Sequence, residues 1–68
     1  MNFNVGDVVQ LKSGGPLMTI TSFVGGSPQG AAYKYQGYSD DDVIVEYFVN
    51  NVRKIDVFRA VSLTIYQP

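Results

Sequence analysis

The chain has 68 residues, a formal net charge of −1, and neither cysteine nor histidine. This length predicts one small domain over residues 1–68. The missing residue types exclude disulfides and the usual zinc sites, so we expect no metal and no cofactor. An acidic balance with five lysines and arginines argues against sequence-independent binding to duplex nucleic acid, which depends on neutralising phosphates.

The sequence also bears on location. No apolar run approaches the roughly 20 residues that a membrane-spanning helix needs. The first four residues, Met1-Asn2-Phe3-Asn4, lack the basic and apolar regions of a signal peptide. We therefore expect a soluble protein of the cytoplasm.

The first two predicted strands form a β-hairpin. Residues 8–12 are rich in β-formers, and the Ser-Gly-Gly-Pro sequence at 13–16 predicts a turn, because glycine tolerates positive φ and proline cannot donate within a sheet. The second strand covers residues 17–23. Alternation places four apolar residues on the core side: Val9, Leu11, Met18 and Ile20.

Residues 24–42 differ in character from the strands around them, since they hold four of the seven glycines and three of the five tyrosines. So long a connection within a compact domain is typically functional or disordered. We expect residues 31–35 to pair as a short strand or to extend a hairpin. Helix is disfavoured because Gly30 and Gly37 lie close by and no apolar face of helical period is present.

The third predicted strand covers residues 43–49. Its Glu46 shares a face with Ile44 and Phe48, so we expect those two apolar side chains to be partly exposed. The opposite face is then the core side, with Val43, Val45, Tyr47 and Val49.

Two further strands complete the prediction. The Asn50-Asn51 pair is a good turn, and the strand over 52–58 that follows has no clean apolar face. The last strand, over 62–66, is expected to point Leu63 and Ile65 inward, and residues 59–61 form at most one helical turn. The predicted fold is all-β: a small, five-stranded, strongly bent antiparallel barrel with a long loop or an extra hairpin between strands 2 and 3.

Two segments carry a family resemblance: residues 6–16, Gly-Asp-Val-Val-Gln-Leu-Lys-Ser-Gly-Gly-Pro, and residues 18–20, Met-Thr-Ile. Both resemble the YodC-like family of small uncharacterised bacterial proteins. The similarity omits residues 24–42 but continues at Val43, Val45, Tyr47, Phe48, Phe58 and Leu63. Val45 stands where the family often has cysteine, and Tyr47 where it usually has tryptophan. The resemblance implies an SH3-like small β-barrel and no particular activity.

The residue inventory argues against an enzyme, since histidine and cysteine are missing and no serine lies in a recognisable nucleophile elbow. Asp7, Glu46 and Asp56 are better explained as turn or solvated strand residues than as an acid–base pair. The turn at 13–16 lacks the Lys-Ser/Thr of a phosphate-binding loop. The three aspartates at 40–42 lack the ligand spacing of a calcium loop, so we expect a solvated acidic loop end.

The candidate binding residues are aromatic, basic or exposed and apolar. Tyr33, Tyr35 and Tyr38 lie among glycines, a mixture typical of binding loops, and their rings are able to stack on bases. The alternative is that they fold back over Ile44 and Phe48 to cover the barrel. The complete candidate set is Tyr33, Lys34, Tyr35, Tyr38, Ile44, Phe48, Arg53 and Arg59.

Two functions are consistent with this pattern. The first is a non-enzymatic interaction module that binds a protein partner or itself through strand edges and the tyrosine-rich residues 24–42. The second is a binder of a nucleotide or single-stranded nucleic acid, or an oligomer that sequesters such a ligand. It would use the tyrosines for stacking and Lys34, Arg53 or Arg59 for phosphate.

Overall fold

The structure, a computed structural model, describes residues 3–67. Its five strands form one antiparallel sheet in the order β4-β3-β2-β1-β5. The strands are β1 (Val8–Leu11), β2 (Met18–Phe23), β3 (Val43–Val49), β4 (Val52–Phe58) and β5 (Leu63–Ile65). One short helix, α1 (Gly30–Tyr35), and two 3-10 turns, Val24–Gly26 and Ala60–Ser62, complete the described chain. The all-β prediction with five antiparallel strands is confirmed.

The sheet is open, with β4 and β5 at its two edges. Within residues 3–67, β4 pairs with β3 and β5 pairs with β1, so the predicted closure into a barrel is not observed. The physical reason lies partly in the last strand, which is only three residues long and already uses one side to bond β1. Two edges therefore stay available for pairing.

The larger core lies on one face of the sheet. It consists of Val9, Met18, Ile20, Val43, Val45 and Leu63, all buried. Partly buried apolar side chains, among them Phe3, Leu11 and Phe58, pack against this core, whereas the α1 residue Tyr33 packs on the opposite face. The predictions for β1, β2, Val43 and Val45 are confirmed, whereas Val49 and Ile65, which we expected inside, are exposed.

A second, smaller core lies on the opposite face and corrects the prediction for β3. Ile44 is only 1% exposed, and it packs with Val24 and Val57 beneath the helix. Glu46 had suggested that this face is exposed to solvent. It lies two residues further along the same strand, outside the cluster that packs beneath α1. The face is thus divided along its length: the Ile44 end is covered and the Phe48 end is not.

The helix α1 replaces the short strand that we expected over residues 31–35. Its glycines mark its ends. The Gly30 Cα lies so close to the Val24 carbonyl that a Cβ there would be 1.6 Å from the oxygen. Gly37, at φ 100°, ends the helix, since its N–H bonds the Lys34 carbonyl and the next N–H bonds the Tyr33 carbonyl.

Candidate functional site

Tyr33 and Tyr38 cover the smaller core. Tyr33 projects from α1, and the turn at Gly37 brings Tyr38 back beside it. Their rings meet edge to face, with centroids 6.3 Å apart and planes at 84°. Both pack on the cluster of Val24, Ile44 and Val57. The covering role that we considered from sequence therefore applies to these two tyrosines, and Ile44 is one of the residues that they cover.

Arg59 contacts Tyr38 and residues before and after it in the chain. Its guanidinium carbon lies 5.1 Å from the centre of the Tyr38 ring, and its Nη2 donates to the Gly37 carbonyl at 3.3 Å. Its Nη1 also lies 3.8 Å from a carboxylate oxygen of Asp42. Because one face of the guanidinium and two of its nitrogens are engaged, Arg59 holds the chain between α1 and β3 in place.

Asp42 is the polar centre of this region and corrects the prediction of a solvated acidic end. The residue is 6% exposed, and its two carboxylate oxygens accept hydrogen bonds from the N–H of Ser39 at 2.9 Å and of Ala60 at 3.0 Å. Asp40 and Asp41 are exposed, as expected. Across residues 3–67, no group of three or more acidic, histidine or cysteine side chains is placed to hold a metal ion.

Lys34 and Tyr35 lie on the outer side of α1. Lys34 Nζ is 2.5 Å from a carboxylate oxygen of Asp40. The Tyr35 side chain is 94% exposed and, with Ala31 and Lys34, borders a shallow open hollow. Tyr35 is thus separated from the two covering tyrosines, and the three rings do not form a common stacking surface.

Phe48 and Arg53 lie together at the other end of the sheet. They are direct partners in the β3–β4 ladder, and Arg53 Nε donates to Glu46 Oε1 at 2.5 Å. Phe48 is 63% exposed and helps to line a groove of about 440 Å³. The other lining residues are Pro16, Leu17, Thr19, Glu46 and Tyr47.

Two apolar residues that the sequence reasoning missed extend this surface. Leu17 lines the groove beside Phe48. Ile55 is paired with Glu46 and therefore points to the same face as Phe48, diagonally across the ladder. Both are exposed. We call Leu17, Phe48 and Ile55 the hairpin patch. The mixed alternation of residues 52–58 was the signal that a second face here carries apolar side chains.

The hairpin patch lies beside a free strand edge. The two-residue turn at Asn50 and Asn51 has φ values of 51° and 64°, which is the geometry of a type I′ turn. In such a hairpin the flanking Val49–Val52 pair is hydrogen-bonded, and bonding alternates from there. Lys54 and Asp56 therefore direct their backbone groups to β3, whereas Arg53, Ile55 and Val57 direct theirs outward.

The eight predicted site residues therefore divide into three places. Tyr33, Tyr38, Ile44 and Arg59 build the covered end of one sheet face. Lys34 and Tyr35 lie outside α1, and Phe48 and Arg53 lie at the uncovered end. Lys34, Arg53 and Arg59 each have a carboxylate oxygen within 4 Å.

None of the helices within residues 3–67 has the length and apolar character that crossing a membrane would require. Neither the curated proteins nor the solved structures contain a significant match to the chain. The model of a family described as uncharacterised small protein, DUF2158, matches residues 4–63. This range includes the buried residues of both cores, the strands β1 to β4 and the first residue of β5. The chain therefore belongs to the DUF2158 family of small proteins.

Proposed function

We propose that this chain is a non-enzymatic interaction module that binds protein through the hairpin patch and the adjoining free edge of β4. One observation carries the proposal: α1 and its tyrosines cover only the Ile44 end of their sheet face, and the Phe48 end is left as an apolar surface. An exposed apolar cluster beside an unpaired strand is a typical surface for β-strand addition.

The chemistry of the hairpin patch suits a protein surface. Leu17, Phe48 and Ile55 offer apolar area around a groove, and the Glu46–Arg53 ion pair lies among them as a source of directional polar contacts. Outward backbone groups of β4 add main-chain hydrogen bonds, which require no particular partner sequence. Specificity would come from the side chains that enter the groove.

The non-enzymatic part of the proposal is supported by what each candidate carboxylate does. Asp7 accepts a hydrogen bond from the Asn4 N–H within a turn. Glu46 is paired with Arg53, and Asp56 accepts from the Tyr47 hydroxyl and the Val57 N–H. Each of these carboxylates thus has a local structural role.

Site-specific photo-crosslinking in cells tests the proposal. A photoreactive phenylalanine analogue replaces Phe48 in one variant and Val61 in the control, because the two positions are 63% and 61% exposed. We expect adducts, with another protein or with a second copy of the chain, at position 48 and not at position 61. Excess unlabelled wild-type chain should compete them away, and an Ile55→Asp chain should compete poorly. Equal adducts at both positions, or none, would contradict the proposal.

Nucleotide binding is the second candidate, and the observation that favours it is the exposure of Tyr35 next to Lys34. A single ring and one lysine already paired with Asp40 would give weak binding. Nucleotide titration at low salt, followed by backbone amide chemical shifts, tests it with Tyr35→Ala as control. Binding that is unchanged by this substitution would contradict the candidate.

The finer resemblance to YodC-like proteins and their SH3-like barrel stays a prediction. Its support is the single five-stranded antiparallel sheet, whose strands β1, β2, β3 and β5 all contribute to the larger core.

A further inference from the structure

The outer edge of β4 has a charge pattern that is self-complementary. Along the edge, Lys54 and Asp56 flank Ile55, and all three side chains are exposed. Lys54 and Asp56 point to the face opposite the hairpin patch, while Ile55 belongs to that patch. Within residues 3–67, neither Lys54 nor Asp56 takes part in a salt bridge.

Hydrogen bonding restricts how two such edges can pair. The outward backbone groups belong to Arg53, Ile55 and Val57, so an antiparallel partner must align its own outward residues with these three. Among symmetric alignments, a two-fold axis at Lys54 sets Lys54 opposite itself, and an axis at Asp56 sets Asp56 opposite itself. Like charges directly opposite one another destabilise a strand pair.

Only an axis at Ile55 converts these repulsions into attractions while keeping most of the strand paired. Each Lys54 then lies opposite Asp56 of the other copy, which gives two opposite-charge pairs per dimer. Ile55 meets its own counterpart, and Arg53 exchanges backbone hydrogen bonds with Val57 of the other copy. Because a two-fold axis perpendicular to the sheet keeps the faces matched, the two hairpin patches lie on the same side.

We infer that β4 pairs antiparallel with β4 of a second copy about a two-fold axis at Ile55, forming one ten-stranded sheet. The inference deepens the proposed function and rests on it, since it names the occupant of the edge described there. The occupant is a second copy because the charge order of this strand complements its own reversal.

One contact of the isolated chain must be exchanged for this pairing. Asp56 Oδ1 accepts a hydrogen bond from the Val57 N–H at 3.0 Å, which occupies one outward donor of the edge. In the paired state, the Arg53 carbonyl of the other copy takes this N–H, and the carboxylate turns to Lys54 of the other copy. The exchange conserves the number of hydrogen bonds, so Asp56 protects the free edge without preventing the symmetric pair.

Sedimentation of charge variants tests the register. We expect the wild-type chain to dimerise as its concentration rises. Lys54→Asp alone sets aspartate against Asp56, and Asp56→Lys alone sets lysine against Lys54, so each should raise the dimer dissociation constant by roughly tenfold or more. An equimolar mixture of the two variants should recover association, because the aspartates of one chain then face the lysines of the other. Lys12→Asp is the control, since it makes the same charge change away from β4.

Three outcomes would overturn the inference: a wild-type chain that stays monomeric at all concentrations, single variants that associate like wild type, or a mixture that does not recover. These failures are distinguishable from failure of the proposed function. A monomeric chain that still forms an adduct with a different protein at position 48 removes the self-pairing and keeps the interaction module. A chain that does neither removes both.

Discussion

The three tyrosines of residues 24–42 allow covering and exposed roles to be separated by stability measurements. Truncating a fully buried large aromatic residue costs about 3–5 kcal/mol. Tyr38 is partly buried, so less than that full cost, about 1.5–2.5 kcal/mol, is expected from the lost burial in Tyr38→Ala. Losing the edge-to-face contact with Tyr33 and the Arg59 contact adds about 0.5–1 kcal/mol. We therefore expect Tyr38→Ala to lower the free energy of unfolding by about 2–3.5 kcal/mol.

Tyr33→Ala should cost about 2 kcal/mol, because it loses the same pairing and core contact but no cation contact. Tyr35→Ala is the matched control: its side chain is almost fully exposed, and its effect should stay within about 0.5 kcal/mol. Urea unfolding followed by circular dichroism measures all three. With a slope of about 1 kcal/mol per molar urea for so small a domain, Tyr38→Ala should lower the midpoint by about 2–3.5 M. Equal midpoints for Tyr35→Ala and Tyr38→Ala would refute the covering role.

Three further substitutions test the contacts that position the covered end and the hairpin. Gly30→Ala should destabilise by about 3 kcal/mol because its Cβ would overlap the Val24 carbonyl, while Gly26→Ala, with open space around it, should leave the melting temperature nearly unchanged. Asp42→Ala should cost about 1–3 kcal/mol in urea unfolding, because the buried N–H of Ala60 loses its acceptor; a loss as small as that of the exposed Asp41→Ala would contradict this role. Asn51→Ala should lower thermal stability by about 1–2 kcal/mol because of its positive φ, whereas Asn51→Gly should not, and equal effects would argue against the type I′ turn.

Much of the sheet could be predicted from the sequence because its strands alternate clearly. Val9, Met18 and Ile20 were assigned to the core correctly, since polar neighbours occupy the other face of each strand. The Asn50-Asn51 turn and the helical turn near residue 60 were also predicted. In these segments the local pattern and the tertiary environment agree.

The second face of β3 could not be predicted, because its cover comes from a distant segment. Ile44 shares its face with a charged residue, and local alternation cannot show that a helix packs over only one end of that face. The helix itself was missed because Gly30 and Gly37 were considered as breakers of an element, whereas they define its two ends. Six residues are also too few to show a helical period.

The candidate site was predicted in part. Phe48 and Arg53 belong to the surface that supports the proposed function, but Leu17 and Ile55 were not recognised. Their closeness depends on the register between strands, which single-strand alternation does not provide. The tyrosines, which looked most suggestive in the sequence, are mainly part of the fold.

The most direct test asks whether copies of the chain bind one another at the outer edge of β4. It measures residue-resolved amide hydrogen exchange while the chain concentration rises from micromolar to millimolar. The Ile55 and Arg53 amides point outward, so they should exchange fast in dilute solution and slow down on association. The Lys54 amide, already bonded within the hairpin, and the amides of α1 should not change. Protection that appears in α1 while Ile55 stays unprotected would contradict the account and would assign binding to the tyrosine-rich segment.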